Sequence, residues 1–154
     1  MRARVLFVGA SLIWAGMILG VSFVATPAKF LAPSLALPVA LDVGRHTFST
    51  FAKVEWTLAF GCAALATASD NRRRALAVSA MLVVLLAVQA YMLIPDLDRR
   101  VGLYLAGQTP PRSPLHIVYV AIELAKIAVL LTGAMLCRSA ADAAGFAAPS
   151  RPAP

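Results

Sequence analysis

The sequence predicts an all-α integral membrane protein: a four-helix up-down-up-down transmembrane bundle, N-in and C-in. Three observations predict it. The 154 residues are 60% hydrophobic and 14% charged, with a mean hydropathy of +0.80, whereas an ordinary soluble domain carries about 25% charged residues. Three runs, 5–26, 75–94 and 115–137, each supply the roughly 20 mostly apolar residues that a membrane-spanning helix needs. The net charge of +7 sits mostly at segment ends. With both termini inside, Arg2, Arg4, Arg72, Arg73, Arg74, Arg138 and Arg151 lie on the inner face, against Lys29, Arg45, Arg99, Arg100 and Arg112 outside, the bias that orients membrane helices. That placement makes the basic charge a topology signal and a contact for anionic lipid headgroups, not a nucleic-acid footprint.

The first helix is expected over about 5–26. Its start resembles a secretory signal, but the apolar run is too long, Phe23 is bulky where a small residue is required, and no cleavage pattern precedes Pro27 and Pro33. Gly9, Gly16 and Gly20 recur on one face and invite close helix contact. Pro27, Pro33 and Pro38 forbid one continuous helix through 26–43, so an interfacial loop is expected, with Pro38 opening the second helix over 38–69. This helix crosses a bilayer only if Lys53 and Glu55 enter the membrane. Asp70, Asn71 and three arginines make a short inner turn, so helices two and three are expected to be antiparallel neighbours. The third helix is expected over 75–94, ending before Pro95, with a polar outer loop over 96–112. Ser113 caps the fourth helix, 114–137, with Pro114 at its first position. Residues 1–138 thus form the transmembrane domain, and 139–154 read as a disordered Ala- and Pro-rich tail. Cys62 and Cys137 fall in helices without a C-x-x-C pair and read as packing residues.

The informative residues are polar ones in apolar surroundings. Each charge at a bilayer centre costs roughly 2.5 to 3.5 kcal/mol on insertion scales, so Glu123 and Lys126 must face protein or water. His116, Tyr119, Glu123 and Lys126 follow spacings that stack them on one stripe of helix four, and Asp42, His46, Ser49 and Lys53 form a stripe on helix two. Glu55 points to another face, with Phe48, Phe51 and Cys62. Counted from the inner edges, Glu55, Gln89 and Glu123 all lie about 14 residues deep, roughly 21 Å at the helical rise. Gly20 of helix one comes to nearly the same level and leaves space there.

The function expected is binding or permeation of a small solute or ion, through an outward-opening polar pocket lined by His46, Lys53, Glu55, Gln89, His116, Tyr119, Glu123 and Lys126. Such a protein would serve envelope maintenance or stress tolerance in a bacterial inner membrane, without enzymatic activity; its partners would be the lipid bilayer, the solute and a second copy in a homo-oligomer. No nucleophile with a base, Gly-rich phosphate loop or zinc-ligand spacing supports hydrolase or kinase chemistry. Two alternatives stand beside it. His46 and His116, with Met92 at the same level, could ligate copper, or the imidazoles could hold haem iron in a redox protein. Or Lys53, Glu55, Glu123 and Lys126, whose charges sum to zero, pair across the bundle in a purely structural subunit.

The pieces Gly20-x-x-Phe23-x-x-x-Pro27-x-x-Phe30, Val43-Gly44-Arg45 with Phe48, Gln89-x-Tyr91 with Pro95, and His116 opening the last helix span most of residues 16–126. In their chain order they resemble the family of small four-helix membrane proteins of unknown function typified by transmembrane protein two hundred and five. More distantly the layout is similar to the copper-resistance D type of inner-membrane protein and its haem-binding relatives, a resemblance that implies metal or haem handling. With two histidines in this chain, it carries no ligand set over.

Overall fold

The computed structural model describes residues 1–146, and every regular element among them is helical. Helix α1, Arg2–Ile18, runs on through a π-helical turn, Leu19–Ala25, into the short α2, Thr26–Ala28, and a 3-10 turn, Lys29–Leu31. Helix α3 spans Leu37–Thr67, with Pro38 in its first turn, where its missing N–H would in any case have no helical partner. Helix α4, Arg72–Val88, continues through a second π turn, Gln89–Leu93, into α5, Ile94–Leu105. The last helix, α6, spans Leu115–Phe146.

Three rods, Arg2–Leu31, Arg72–Leu105 and Leu115–Arg138, are long and apolar enough to cross a membrane. Their outward faces are apolar, with Ile13, Val84, Ile117 and Met135 all exposed. Phe60 carries the same character onto the outside of α3.

The long helices form a ring of neighbours: α1 packs on α3 and α6, and α4 packs on the same two. Each lines the centre with the same spacing. The buried residues run Phe7, Ser11, Trp14, Ile18 on α1; Glu55, Ala59, Cys62, Ala66 on α3; Ala75, Ser79, Leu82, Leu86 on α4; and Tyr119, Glu123, Lys126, Leu130 on α6. Alternating steps of four and three keep one seam facing the centre along nearly parallel or antiparallel helices, the packing of coiled coils and helical bundles.

Several expectations are corrected. The glycine face of helix one looks outward: a Cβ at Gly9, Gly16 or Gly20 would meet nothing within 4 Å. The bulk of Phe7, Trp14 and Ile18 is needed between α3 and α6, and the opposite face goes to the surroundings. The close helix approach lies elsewhere, at Gly133, where a Cβ would stand 2.8 Å from Val78 Cγ1. Helix three does not stop at Pro95, nor helix one at Pro27. In both, a π turn precedes the proline and covers its i−4 carbonyl, so the rod continues where an α-helical ladder would clash. Thr26 Oγ1 donates to Val21 O at 2.8 Å, the same carbonyl that accepts the Thr26 backbone N–H at the end of the wider turn.

The expected outer loop is therefore largely helical. Leu97, Val101 and Tyr104 share one face of α5, and the helix closes at Gly107, whose φ of 73° permits the final bonds from Gly107 N to Tyr104 O and Gln108 N to Leu103 O. Ser113 caps α6 as expected, its hydroxyl accepting from Leu115 N at 3.2 Å. Beyond Cys137 the chain stays helical through the Ala-rich stretch to Phe146, favoured by alanine's propensity, where a tail had been expected; the rest of that tail lies outside the described residues.

Candidate functional site: a sealed charge knot beneath a cavity

At mid-depth the rods exchange polar contacts instead of apolar ones. Lys126 Nζ lies 2.6 Å from Glu55 Oε1 and 3.0 Å from Glu123 Oε1, tying α6 to α3. The Trp14 indole N–H donates to Glu55 Oε1 at 2.9 Å, which brings in α1. Gln89 Nε2 donates to Glu123 Oε1 at 2.8 Å and to the Tyr119 carbonyl at 3.4 Å, and Ser22 Oγ donates to Glu123 Oε2 at 3.3 Å. Lys126 and Glu123 are 0% exposed and Glu55 and Gln89 1%, so water does not share these bonds. Such burial is tolerable only because each charge is both paired and hydrogen-bonded.

Both π turns serve this knot. Gln89 opens one and Ser22 lies within the other, and both donate to the same carboxylate. Gln89 continues the inward seam of Leu82 and Leu86 by one more step, and the wider turn begins there.

Above the knot lies a cavity of about 1000 Å³. Its walls come from the Ser22–Phe30 stretch, the first half of α3, α5 and the start of α6. Ser22 and Tyr119 line it from below, and both border Glu123. The Tyr119 ring meets Phe48 edge-on, with centroids 5.0 Å apart. Below the knot the centre is filled by Phe7, Leu82, Leu86 and Leu130, all buried.

The expected site thus divides in two. Glu55, Gln89, Glu123 and Lys126 do converge, but as a closed knot and not as pocket lining; Tyr119 joins them and also forms cavity wall. Lys53 does not take part. It is exposed, because two helical residues differ by about 200° around the axis and Glu55 holds the inner face. With Lys53 outside, the expected zero charge balance fails: two carboxylates face one ammonium.

His46 and His116 both line the cavity, whereas Met92 is 65% exposed and absent from its wall. Among the described residues, no three His, Cys, Asp or Glu side chains gather closely enough to hold a metal ion. His46 instead lies 3.7 Å from Asp42, one turn back on its own helix.

Sequence reasoning missed Trp14 and Ser22. Only the seam spacing from Phe7 through Ser11 to Trp14 marks that indole as inward, and nothing in the sequence marks the π turn that aims Ser22.

No protein-family model, no curated protein and no solved structure matches this chain. Of the residues quoted for the resemblance, Phe23, Pro27, Phe30, Gly44, Arg45, Phe48, Pro95 and His116 line the cavity, whereas Gly20, Val43, Gln89 and Tyr91 do not.

Proposed function

We propose that this is a four-helix, up-down-up-down protein of a bacterial inner membrane, with both termini inside, that binds a small solute in its outer cavity without transporting it or transforming it. Placing Lys53 and Glu55 in the bilayer completes a fourth span. Glu55 is then neutralised within the knot, and Lys53 extends its ammonium along the helix toward the headgroups. The resemblance to the small four-helix membrane family belongs to the same proposal.

The observation that carries the reading is the relation between cavity and knot. A cavity of about 1000 Å³ stands at the upper end of the range of small-molecule sites, with walls that are mainly apolar in area and studded with polar and charged side chains. Its floor rests on ion pairs at 0–1% exposure over a filled apolar half, a blind end suited to holding a molecule and not to passing one. Proteoliposomes should accordingly show no protein-dependent flux of protons or potassium, for wild type and Glu123→Gln alike. Native mass spectrometry from nanodiscs should find a bound small molecule that is lost on filling the cavity with Val120→Trp. Flux through the wild type that Glu123→Gln abolishes would replace binding by permeation, and neither flux nor ligand would leave a structural subunit.

A second reading has one observation in its favour: both histidines line the same cavity. Copper or haem iron held there would give stoichiometric metal, or a Soret band, lost in His46→Ala and in His116→Ala.

A further inference from the structure

Resting on that solute-binding reading, we propose that the cavity takes a single-chain anionic amphiphile, a long-chain carboxylate whose head is held by Lys29. The cavity wall carries three fixed cations, Lys29, Arg45 and Arg100, against one carboxylate, Asp98. Two of those cations are already engaged. Arg45 reaches Asp42 at 2.7 Å and Asp98 at 3.5 Å, and Arg100 donates to the Pro111 carbonyl. Lys29 has no anionic partner among the described residues. Its ammonium is half-buried, packed over the bare Cα of Gly44 and 5.1 Å from the centroid of the Phe30 ring.

A half-buried ammonium without a counter-ion, inside a cavity, attracts an anion. The beginnings of α3 and α6, Leu37 and Leu115, line the same space and add the positive ends of two helix dipoles. Most of the remaining surface is hydrocarbon, interrupted by hydroxyls and the two histidines: Phe23, Leu41, Phe48, Ile94 and Val120 offer nothing to a small hydrophilic anion but would bury an acyl chain at about 25 cal/mol per Å². Charge and apolar lining together select a molecule with one anionic head and one long tail.

Full-length protein in nanodiscs, crosslinked with a photoreactive palmitate analogue, tests this by competition. Unlabelled palmitate should compete, while hexadecanol, acetate and dipalmitoyl phosphatidylglycerol should each need at least about tenfold more. Lys29→Met should raise the palmitate required about tenfold and leave hexadecanol unchanged. Gly44→Ala, whose methyl would displace the ammonium, should weaken palmitate severalfold. Hexadecanol as effective as palmitate, or undiminished competition in Lys29→Met, overturns the anionic head while leaving the cavity as a solute site. Stronger competition by the phospholipid assigns the site to a bilayer headgroup, and by acetate to a free anion; either overturns the single-chain ligand. No specific crosslinking overturns the inference alone. Crosslinking that survives Val120→Trp places the ligand outside the cavity and removes the solute-binding reading too.

Discussion

Lys126 holds the interior together because, among the described residues, it is the one cation shared by two buried carboxylates, Glu55 at 2.6 Å and Glu123 at 3.0 Å. Lys126→Met keeps much of the side-chain volume but leaves those carboxylates buried without a positive partner. Breaking a buried pair from one side costs about 3–5 kcal/mol. Glu123→Gln removes the charge excess, keeps one oxygen to accept from Gln89 and Lys126, and turns an amide donor toward the Ser22 hydroxyl, which can accept, so it should cost less than about 1.5 kcal/mol. Reversible unfolding in mixed micelles measures both, and equal losses would contradict a shared cation. Combining Lys126→Met with Glu55→Gln and Glu123→Gln should recover much of the single-variant loss, since a knot acts as a unit. At this scale the sequence was partly legible. The cost of intramembrane charge pointed to Glu55, Glu123 and Lys126, and depth along the helices to Gln89, but periodicity alone did not tell which of Lys53 and Glu55 faces inward. That choice follows from the seam set farther along α3 by Ala59, Cys62 and Ala66.

Between elements, close approach is governed by which small residue faces a neighbour, not by how many a helix contains. Helix one, with its row of glycines, spends them on its outer face, whereas Gly133 admits Val78 of α4. Gly133→Ala should therefore destabilise the fold by about 1–3 kcal/mol, the usual cost of overpacking. Val78→Ala should return most of that loss in the double variant. Gly20→Ala, with open space around it, should be neutral or slightly stabilising through helix propensity. Unfolding midpoints of the four variants decide the matter, and a Gly20→Ala loss equal to that of Gly133→Ala would restore the outer glycine face as a contact. Helix existence was readable from apolar length, and the start of α3 from Pro38. The continuations past Pro27 and Pro95 were not, because proline breaks an α-helical ladder but not one already widened by a π turn.

Across the whole molecule, the interruptions and the filled core lie at opposite ends. Pro27, Pro95 and the beginnings of α3 and α6 surround the cavity, while the half between Phe7 and Leu130 is uninterrupted helix around apolar side chains. The cavity end contains Lys29, Arg45 and Arg100, and the opposite end contains Arg72, Arg73 and Arg74, so positive charge marks both ends and only its excess distinguishes them. Positive charge near short loops opposes translocation, and the triple arginine in the tight turn before α4 is the densest such cluster in the chain. It should hold that turn on the cytoplasmic side and place the loop after Gly107 outside. Cys62 and Cys137 are buried, which shields the native thiols and leaves introduced cysteines as clean reporters. In intact spheroplasts a membrane-impermeant maleimide should label Gln108→Cys readily and Arg73→Cys only after permeabilisation. Labelling in the opposite order would turn the cavity toward the cytoplasm, and its ligand would then have to be drawn from inside the cell.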